Sequence, residues 1–134
     1  MTPFTLKIVT PDGLKFEGQV EELIVRTTTG DMGILAGHIN FVAPLGMGRA
    51  EILVNGKRRM AACIGGLVSM VSGSATLVPT TFEWADEIDV DRAENSEKRA
   101  QTVLTNKAAT DTDIRMAEAR LKRALIRKHV ATRK

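Results

Sequence analysis

The chain has 134 residues, of which 43% are hydrophobic and 26% are charged, and these proportions are typical of one ordinary folded domain. No apolar run approaches the roughly 20 residues that a membrane-spanning helix needs, and the amino terminus lacks the basic and apolar blocks of a secretory signal. The single cysteine, Cys63, cannot form an internal disulfide and is predicted to be a buried, inert thiol. These features fit a cytoplasmic-side protein.

Charge is distributed unevenly along the chain, although the net charge is only +3. Residues 1–84 are neutral, residues 85–114 carry a net charge of −4, and residues 115–134 carry a net charge of +7. Glycine is also absent after Gly73, where alanine, lysine and arginine become frequent. The sequence therefore predicts two parts, a β-rich unit over residues 1–86 and a helical unit over residues 87–134.

Short antiparallel strands are predicted for the first part. Apolar residues alternate from Phe4 to Val9, and Pro11-Asp12-Gly13 then predicts a turn. Another strand is predicted from Val20 to Thr27. Two hairpins follow, with turns at Asn55-Gly56 and Ser72-Gly73. Strands of this length and spacing predict a small antiparallel β-sandwich or a flattened barrel.

A glycine-rich segment, Gly30 to His38, interrupts this pattern. Its three glycines predict a loop, because glycine adopts backbone conformations that other side chains forbid. The loop would expose Asp31 and Met32 between two of the glycines. A wide turn between strands is the simpler interpretation, and a contact loop that presents these two residues is the other.

The second part predicts two short helices that form an antiparallel hairpin. Asp89 or Asp91 is placed to cap the first helix. Its narrow apolar stripe consists of Ala93, Ala100, Val103 and Leu104. After a polar connection, the second helix has a single apolar face, which consists of Ile114, Ala117, Leu121, Ala124 and Leu125. Because alanine-rich faces bury little area, we expect the hairpin to be weakly held.

No group of residues in the sequence is typical of catalysis or metal binding. His38, Cys63 and His129 are too scattered for a metal site, and neither a phosphate-binding glycine loop nor a serine nucleophile elbow is present. We therefore expect a protein that is not an enzyme. The basic last helix leaves a free-standing nucleic-acid-binding module as an alternative, although that helix has no aromatic side chain on which bases would stack.

Several segments along essentially the whole chain match one family in order and in spacing. These segments are Val9–Gly13, Gly30–His38, Gly65–Val68, Ile88–Ala93 and Leu121–Ala124. On them the chain resembles the epsilon subunit of bacterial F-type ATP synthases. The resemblance implies an N-terminal β-sandwich followed by a C-terminal antiparallel α-helical hairpin. It also implies a non-catalytic subunit of the central stalk that couples rotation of the c-ring to the gamma shaft.

Partners and their contact residues are likewise implied by the resemblance. Asp31 and Met32 correspond to a tip that faces the c-ring, and the gamma-facing surface corresponds to His38, Ile39, Phe41 and Val42. An extended hairpin would carry an inhibitory basic helix to the catalytic alpha and beta subunits, through Arg115, Arg120, Arg123 and Arg127. The subunit would then lie peripherally at the cytoplasmic face of the bacterial plasma membrane, without inserting into it and without binding nucleic acid.

Some bacterial members of this family bind ATP in the folded form as a regulatory ligand, and the family requires no cofactor. The residues similar to their nucleotide motif are Glu83, Ile88, Asp89, Arg92, Ala93, Arg123 and Arg127. Asp89 would accept a hydrogen bond from the adenine amino group, and the arginines would pair with phosphates. The alternative interpretation is an ordinary capped helix start beside a solvated arginine pair.

Overall fold

The computed structural model describes residues 2–132 and confirms the predicted β-sandwich followed by a helical hairpin. The strands are β1 (Phe4–Thr10), β2 (Gly13–Val20), β3 (Glu22–Thr27), β4 (Gly30–Ile34), β5 (Phe41–Pro44), β6 (Met47–Val54), β7 (Lys57–Val71) and β8 (Ser74–Trp84). A single 3-10 turn (Ala85–Glu87) leads to the helices α1 (Val90–Thr105) and α2 (Asp111–Thr132).

Alternation of buried and exposed side chains explains the strands. In β1, Phe4, Leu6 and Ile8 are buried whereas the residues between them are more exposed, as the sequence predicts. The predicted turns Asn55-Gly56 and Ser72-Gly73 are both present, with positive φ at all four residues, which suits the twist of the strands they join. The interior is filled mainly by leucine, isoleucine and valine.

Alternate residues of β7 face the core, and this alternation shifts by one residue halfway along the strand. Ala61 and Cys63 point into the core near its start, whereas Val68 and Met70 do so near its end. The strand therefore passes from one layer of the sandwich to the other with an unchanged register against β8, although Gly65 at the bend is left out of the pairing. Strands β5 and β6 lie one after the other along β7. Strand β6 pairs with the first half of β7, and β5 pairs with the second half.

Glycine at the bend of β7 is required by the backbone. Gly65 and Gly66 have φ values of +70° and +99°, in the region that L side chains rarely adopt. A Cβ at Gly66 would also lie 2.0 Å from the carbonyl oxygen of Val78 on β8. The two strands approach this closely only because position 66 has no side chain.

The bend divides the strands into two packed layers. Sheet 1 contains β2, β1, the first half of β8, the second half of β7, and β5; sheet 2 contains the remaining halves of β8 and β7 with β6, β3 and β4. Most pairs are antiparallel, as predicted, but β1 and β8 pair in parallel from Thr5 opposite Ser74 to Ile8 opposite Leu77. That pairing places the first and the last strand of the sandwich side by side in sheet 1.

The prediction of a loop over Gly30 to His38 is wrong for its first half. Gly30–Ile34 forms strand β4, paired with β3 along its whole length. The reversal takes place earlier, where the Thr27 hydroxyl accepts a hydrogen bond from the Thr29 N–H and donates one to the Gly30 carbonyl oxygen. This side-chain turn replaces the turn that the glycines suggest.

A junction held by side-chain contacts connects the sandwich to the hairpin. The Glu87 carboxylate accepts a hydrogen bond from the Trp84 N–H at 3.0 Å, and the Arg59 guanidinium lies 3.7 Å from the centre of the Trp84 ring. Asp89 then caps α1, with its Oδ1 accepting from the Arg92 N–H at 3.0 Å. The predicted boundary between residues 86 and 87 lies within this junction.

The hairpin rests on sheet 2 through the end of α2. Val130 and Ala131 are buried there, in a cluster completed by Met60, Ala62, Ala85 and Ile88. Between the helices the buried residues are alanines at positions 93, 100, 117 and 124. The prediction that Leu125 belongs to the buried face of α2 is wrong, because its side chain is 47% exposed. The buried line repeats every seven residues, from Ala117 to Ala131, and Leu125 lies beside it.

Candidate functional site

A cleft of about 780 Å³ lies between the helical hairpin and the sandwich. Residues of α1 and α2 form one wall, and the other wall consists of the second half of β8 and the β1–β2 turn. A ligand in this cleft would therefore contact the helical part and the sandwich at once. Its volume is in the range that encloses small-molecule ligands.

Six of the seven predicted nucleotide-contact residues line this cleft, namely Glu83, Asp89, Arg92, Ala93, Arg123 and Arg127. The seventh, Ile88, is buried among apolar residues that include Val130. Lys15, Arg99 and Arg120 line the cleft too and are not among those seven. Periodicity accounts for Arg99, because it lies seven residues after Arg92 and so on the same side of α1.

Several cations of the cleft have no acidic partner. Glu83 accepts a hydrogen bond from the Arg127 Nε at 2.6 Å, which joins the sandwich to α2. Within residues 2–132, no carboxylate lies within 4.0 Å of the other four arginines, which are Arg92, Arg99, Arg120 and Arg123. Free guanidinium groups in a concave site attract anions, and their planar donors match phosphate oxygens. The cleft is therefore suited to a small polyanion.

The basic residues predicted to inhibit ATP hydrolysis divide into two groups in this folded form. Arg120, Arg123 and Arg127 face the cleft, at a spacing of three and four residues along α2. Arg115 lies outside it and is exposed. Three of these four arginines thus line the cleft against the sandwich in the folded form.

The outer side of sheet 1 carries a second feature, an exposed apolar surface. Strand register places Leu67 between Val78 and Pro44, with Val42 on the adjoining strand. Side chains of this outer apolar face are 45–76% exposed, and they include Ile39, Val42, Leu67, Val71 and Val78. A contiguous apolar surface of this kind on a folded domain is typical of a protein–protein contact.

The predicted gamma-contact residues fall only partly on this outer apolar face. Ile39 and Val42 belong to it, with exposed fractions of 76% and 67%. Phe41 instead packs against the core, because the alternation of β5 directs it inward. The His38 ring lies against the Phe41 ring with centroids 5.0 Å apart, so it borders the exposed surface.

Asp31 and Met32 belong to β4 rather than to a loop, and only Asp31 is exposed as the sequence predicts. Met32 packs against the core. Asp31 lies between two arginines, with Oδ1 2.9 Å from the Arg49 Nη1 and 3.3 Å from the Arg26 Nη1. Partial burial acts to raise the pKa of Asp31, but hydrogen bonds and charge from Arg49 and Arg26 lower it overall. The prediction that these residues meet the c-ring stays a prediction.

Neither a membrane span nor a metal cluster is found in the described part of the chain. No helix there is long and apolar enough to cross a bilayer. Over the same residues, histidine, cysteine and carboxylate side chains nowhere gather in the groups of three or more that would hold a metal ion.

Comparison with protein families matches both parts of the chain. Residues 3–85 match the beta-sandwich domain of the ATP synthase delta/epsilon chain, and residues 86–132 match its long alpha-helix domain. The chain is 43% identical to the ATP synthase epsilon chain of Ruminococcus albus over 100% of both chains. It is 41% identical to that of Bacillus velezensis and 39% identical to that of Bacillus pumilus, in each case over 98% of both chains.

Solved structures share the fold at low sequence identity. One is a chain of the mitochondrial ATP synthase of Euglena gracilis, from a structure of its OSCP, F1 and c-ring assembly. It has a TM-score of 0.84 and 20% identity, with 100% of this chain and 83% of that chain covered. A chain from the central stalk and c-ring of the Tetrahymena thermophila enzyme has a TM-score of 0.65 and 14% identity, with 95% of each covered.

Proposed function

This chain belongs to the ATP synthase delta/epsilon family, and we propose that it is a non-catalytic central-stalk subunit whose hairpin is held on the sandwich by ATP. The observation that carries the proposal is the cleft with four arginines that have no carboxylate partner in the described chain. Because the cleft has one wall from each part, a bound polyphosphate stabilises the folded hairpin against the extended one.

ATP fits the remaining groups of the cleft. Asp89 uses Oδ1 to cap α1, which leaves its Oδ2 to accept a hydrogen bond from the adenine amino group. The capped-helix interpretation and the nucleotide interpretation are therefore compatible. Arg127 is already paired with Glu83, so the phosphates bind mainly to the other arginines.

Regulation follows from the two uses of one basic helix. In the folded form, Arg120, Arg123 and Arg127 face the cleft. In an extended form they would bind the catalytic alpha and beta subunits and inhibit ATP hydrolysis. A ligand that binds these arginines in the cleft withholds them from the catalytic subunits, so ATP relieves inhibition by shifting the population toward the folded form.

The outer apolar face is the proposed docking surface for the gamma subunit. Together with a c-ring contact near Asp31, this docking would couple ring rotation to the shaft and keep the subunit peripheral, at the cytoplasmic face of the membrane. Leu67→Lys should reduce co-purification with gamma. Met116→Lys is a matched control, because Met116 is 51% exposed and Leu67 is 50% exposed, but Met116 lies on α2. Equal retention of gamma by both variants would remove this assignment.

ATP binding is tested by thermal denaturation of the full chain. ATP present at about 100 times its dissociation constant stabilises the folded hairpin by about 2.7 kcal/mol, so the unfolding temperature rises. Arg123→Ala should lose most of that rise, and Arg115→Ala, outside the cleft, should retain it. No shift at millimolar ATP would contradict the proposal.

Inhibition is tested in the assembled enzyme. Joint replacement of Arg115, Arg120, Arg123 and Arg127 with alanine should increase ATP hydrolysis, since the extended helix would lose its charges. Unchanged hydrolysis would confine the subunit to rotary coupling.

A further inference from the structure

We infer that Lys15, on the β1–β2 hairpin, is a further ligand-binding residue of the cleft and holds a phosphate from the sandwich side. The inference rests on the proposed binding of a polyphosphate to the helical arginines. It goes beyond that proposal because Lys15 is a cation of the sandwich that binds the same ligand. The bound anion then bridges the two parts of the chain.

A β-bulge places Lys15 where it lines the cleft. In the pairing of β1 with β2, Phe16 lies opposite Ile8, but Leu14 rather than Lys15 lies opposite Val9. Lys15 is therefore an extra residue in β2, without a partner across the strand pair. Such bulges redirect a side chain away from the regular alternation and are frequent beside binding sites. Regular pairing would have set Lys15 opposite Val9, where Leu14 now stands.

The turn that precedes Lys15 is held by its own hydrogen bonds. Thr10 is 7% exposed, and its hydroxyl donates to the Gly13 carbonyl oxygen at 3.2 Å and accepts from the Asp12 N–H at 3.1 Å. The backbone that carries Lys15 is thus ordered before any ligand arrives. Less conformational entropy is lost on binding as a result.

Lys15 is also free to bind an anion. It is half-buried, and within residues 2–132 no carboxylate lies within 4.0 Å of its ammonium group. Lys7, on the neighbouring strand, instead has the Glu17 carboxylate at 4.0 Å and does not line the cleft. The wall also contains Asp12, an exposed acid that works against an anion at the rim. Lys15 offsets that charge.

Lys15 changes how binding of the anion affects the docking of the hairpin on the sandwich. An anion held by arginines of α1 and α2 alone would join the two helices to each other. With Lys15 as an additional ligand, the same anion joins both helices to the β1–β2 turn of sheet 1. Binding energy then contributes directly to keeping the hairpin docked.

Calorimetric titration of the full-length chain with ATP, and separately with inorganic tripolyphosphate, tests the assignment. Lys15→Ala should weaken both affinities about tenfold, the change expected when one charge-assisted hydrogen bond is lost. Lys15→Arg should restore most of the affinity, and Lys7→Ala should leave it unchanged. Equal melting temperatures without ligand will show that the variants are folded.

Amide exchange at saturating ATP provides a second readout. In the native chain, ATP should slow exchange in residues 11–16 as well as in both helices. In Lys15→Ala, at an ATP concentration raised to saturate it, only the helices should remain protected by ATP.

The possible failures are distinguishable. If the native chain binds ATP and Lys15→Ala binds it equally well, or if Lys7→Ala weakens binding as much, the role of Lys15 is refuted and the proposed function stands. If the native chain binds neither ATP nor tripolyphosphate, the proposed ligand and the role of Lys15 both fail.

Discussion

Replacing Val130 with alanine should loosen the contact of α2 with sheet 2 and leave the sandwich unchanged. Val130 is fully buried against residues that include Met60, Ala62 and Ile88. The substitution removes two carbon groups, worth about 0.8 kcal/mol each in transfer from water, and the cavity that remains adds to the loss. We expect the free energy that docks the hairpin to fall by about 2 kcal/mol.

Native-state amide exchange measures this loss locally. A change of about 2 kcal/mol increases the equilibrium constant for opening about 30-fold, so the amides of α2 should exchange about 30-fold faster. Those of the central part of β7 should be unaffected, because their exchange requires opening of the sandwich. Leu125→Ala is the control, since its side chain is 47% exposed and its removal should cost within about 0.5 kcal/mol.

Two outcomes would refute the reasoning. If Val130→Ala accelerates exchange in α2 and in β7 to the same extent, the hairpin and the sandwich open as one unit. If it changes neither, the cluster around Val130 does not hold the hairpin.

Three further substitutions test other contacts. Glu83→Gln removes the carboxylate that holds Arg127 and should weaken docking by about 1 kcal/mol, seen as about fivefold faster exchange in α2. Gly66→Ala should cost about 3 kcal/mol or more in urea denaturation, because its Cβ meets a carbonyl oxygen, whereas Gly73→Ala, strained but in open space, should cost about 1 kcal/mol. Burial raises the pKa of Cys63 to about 12, so the unfolded thiol, with a pKa of about 8.5, loses its proton first. The free energy of unfolding should therefore fall as pH rises between about 8.5 and 12, and Cys63→Ala should flatten that slope in denaturant titrations.

Local chemistry made much of the fold predictable. The Asn55-Gly56 and Ser72-Gly73 turns and the alternation of β1 follow from rules that involve only neighbouring residues. Gly30–Ile34 is the counterexample, because pairing with β3 decides its conformation and glycine merely permits it. The burial of Val130 could not be predicted from the sequence either, since a surface on β7 determines which side of α2 is buried.

The candidate site was predictable where it depends on helix periodicity. Arginines at 120, 123 and 127 share one side of α2, and their presence in one cleft follows from that spacing. Lys15 was not predictable in this way, because a bulge in strand pairing leaves no periodic signal. The cleft itself arises from how the hairpin docks on the sandwich, which only the tertiary structure shows.

The continuity of β7 and β8 through both layers has a mechanical consequence. Because each sheet is built partly from the same two strands, the layers cannot separate without distorting the β7–β8 pair where it crosses between them. A load applied to sheet 1 is therefore carried through covalent backbone into sheet 2. For a part of a rotor, the sandwich would behave as a stiff coupling, and the helices would be left as the element free to change position.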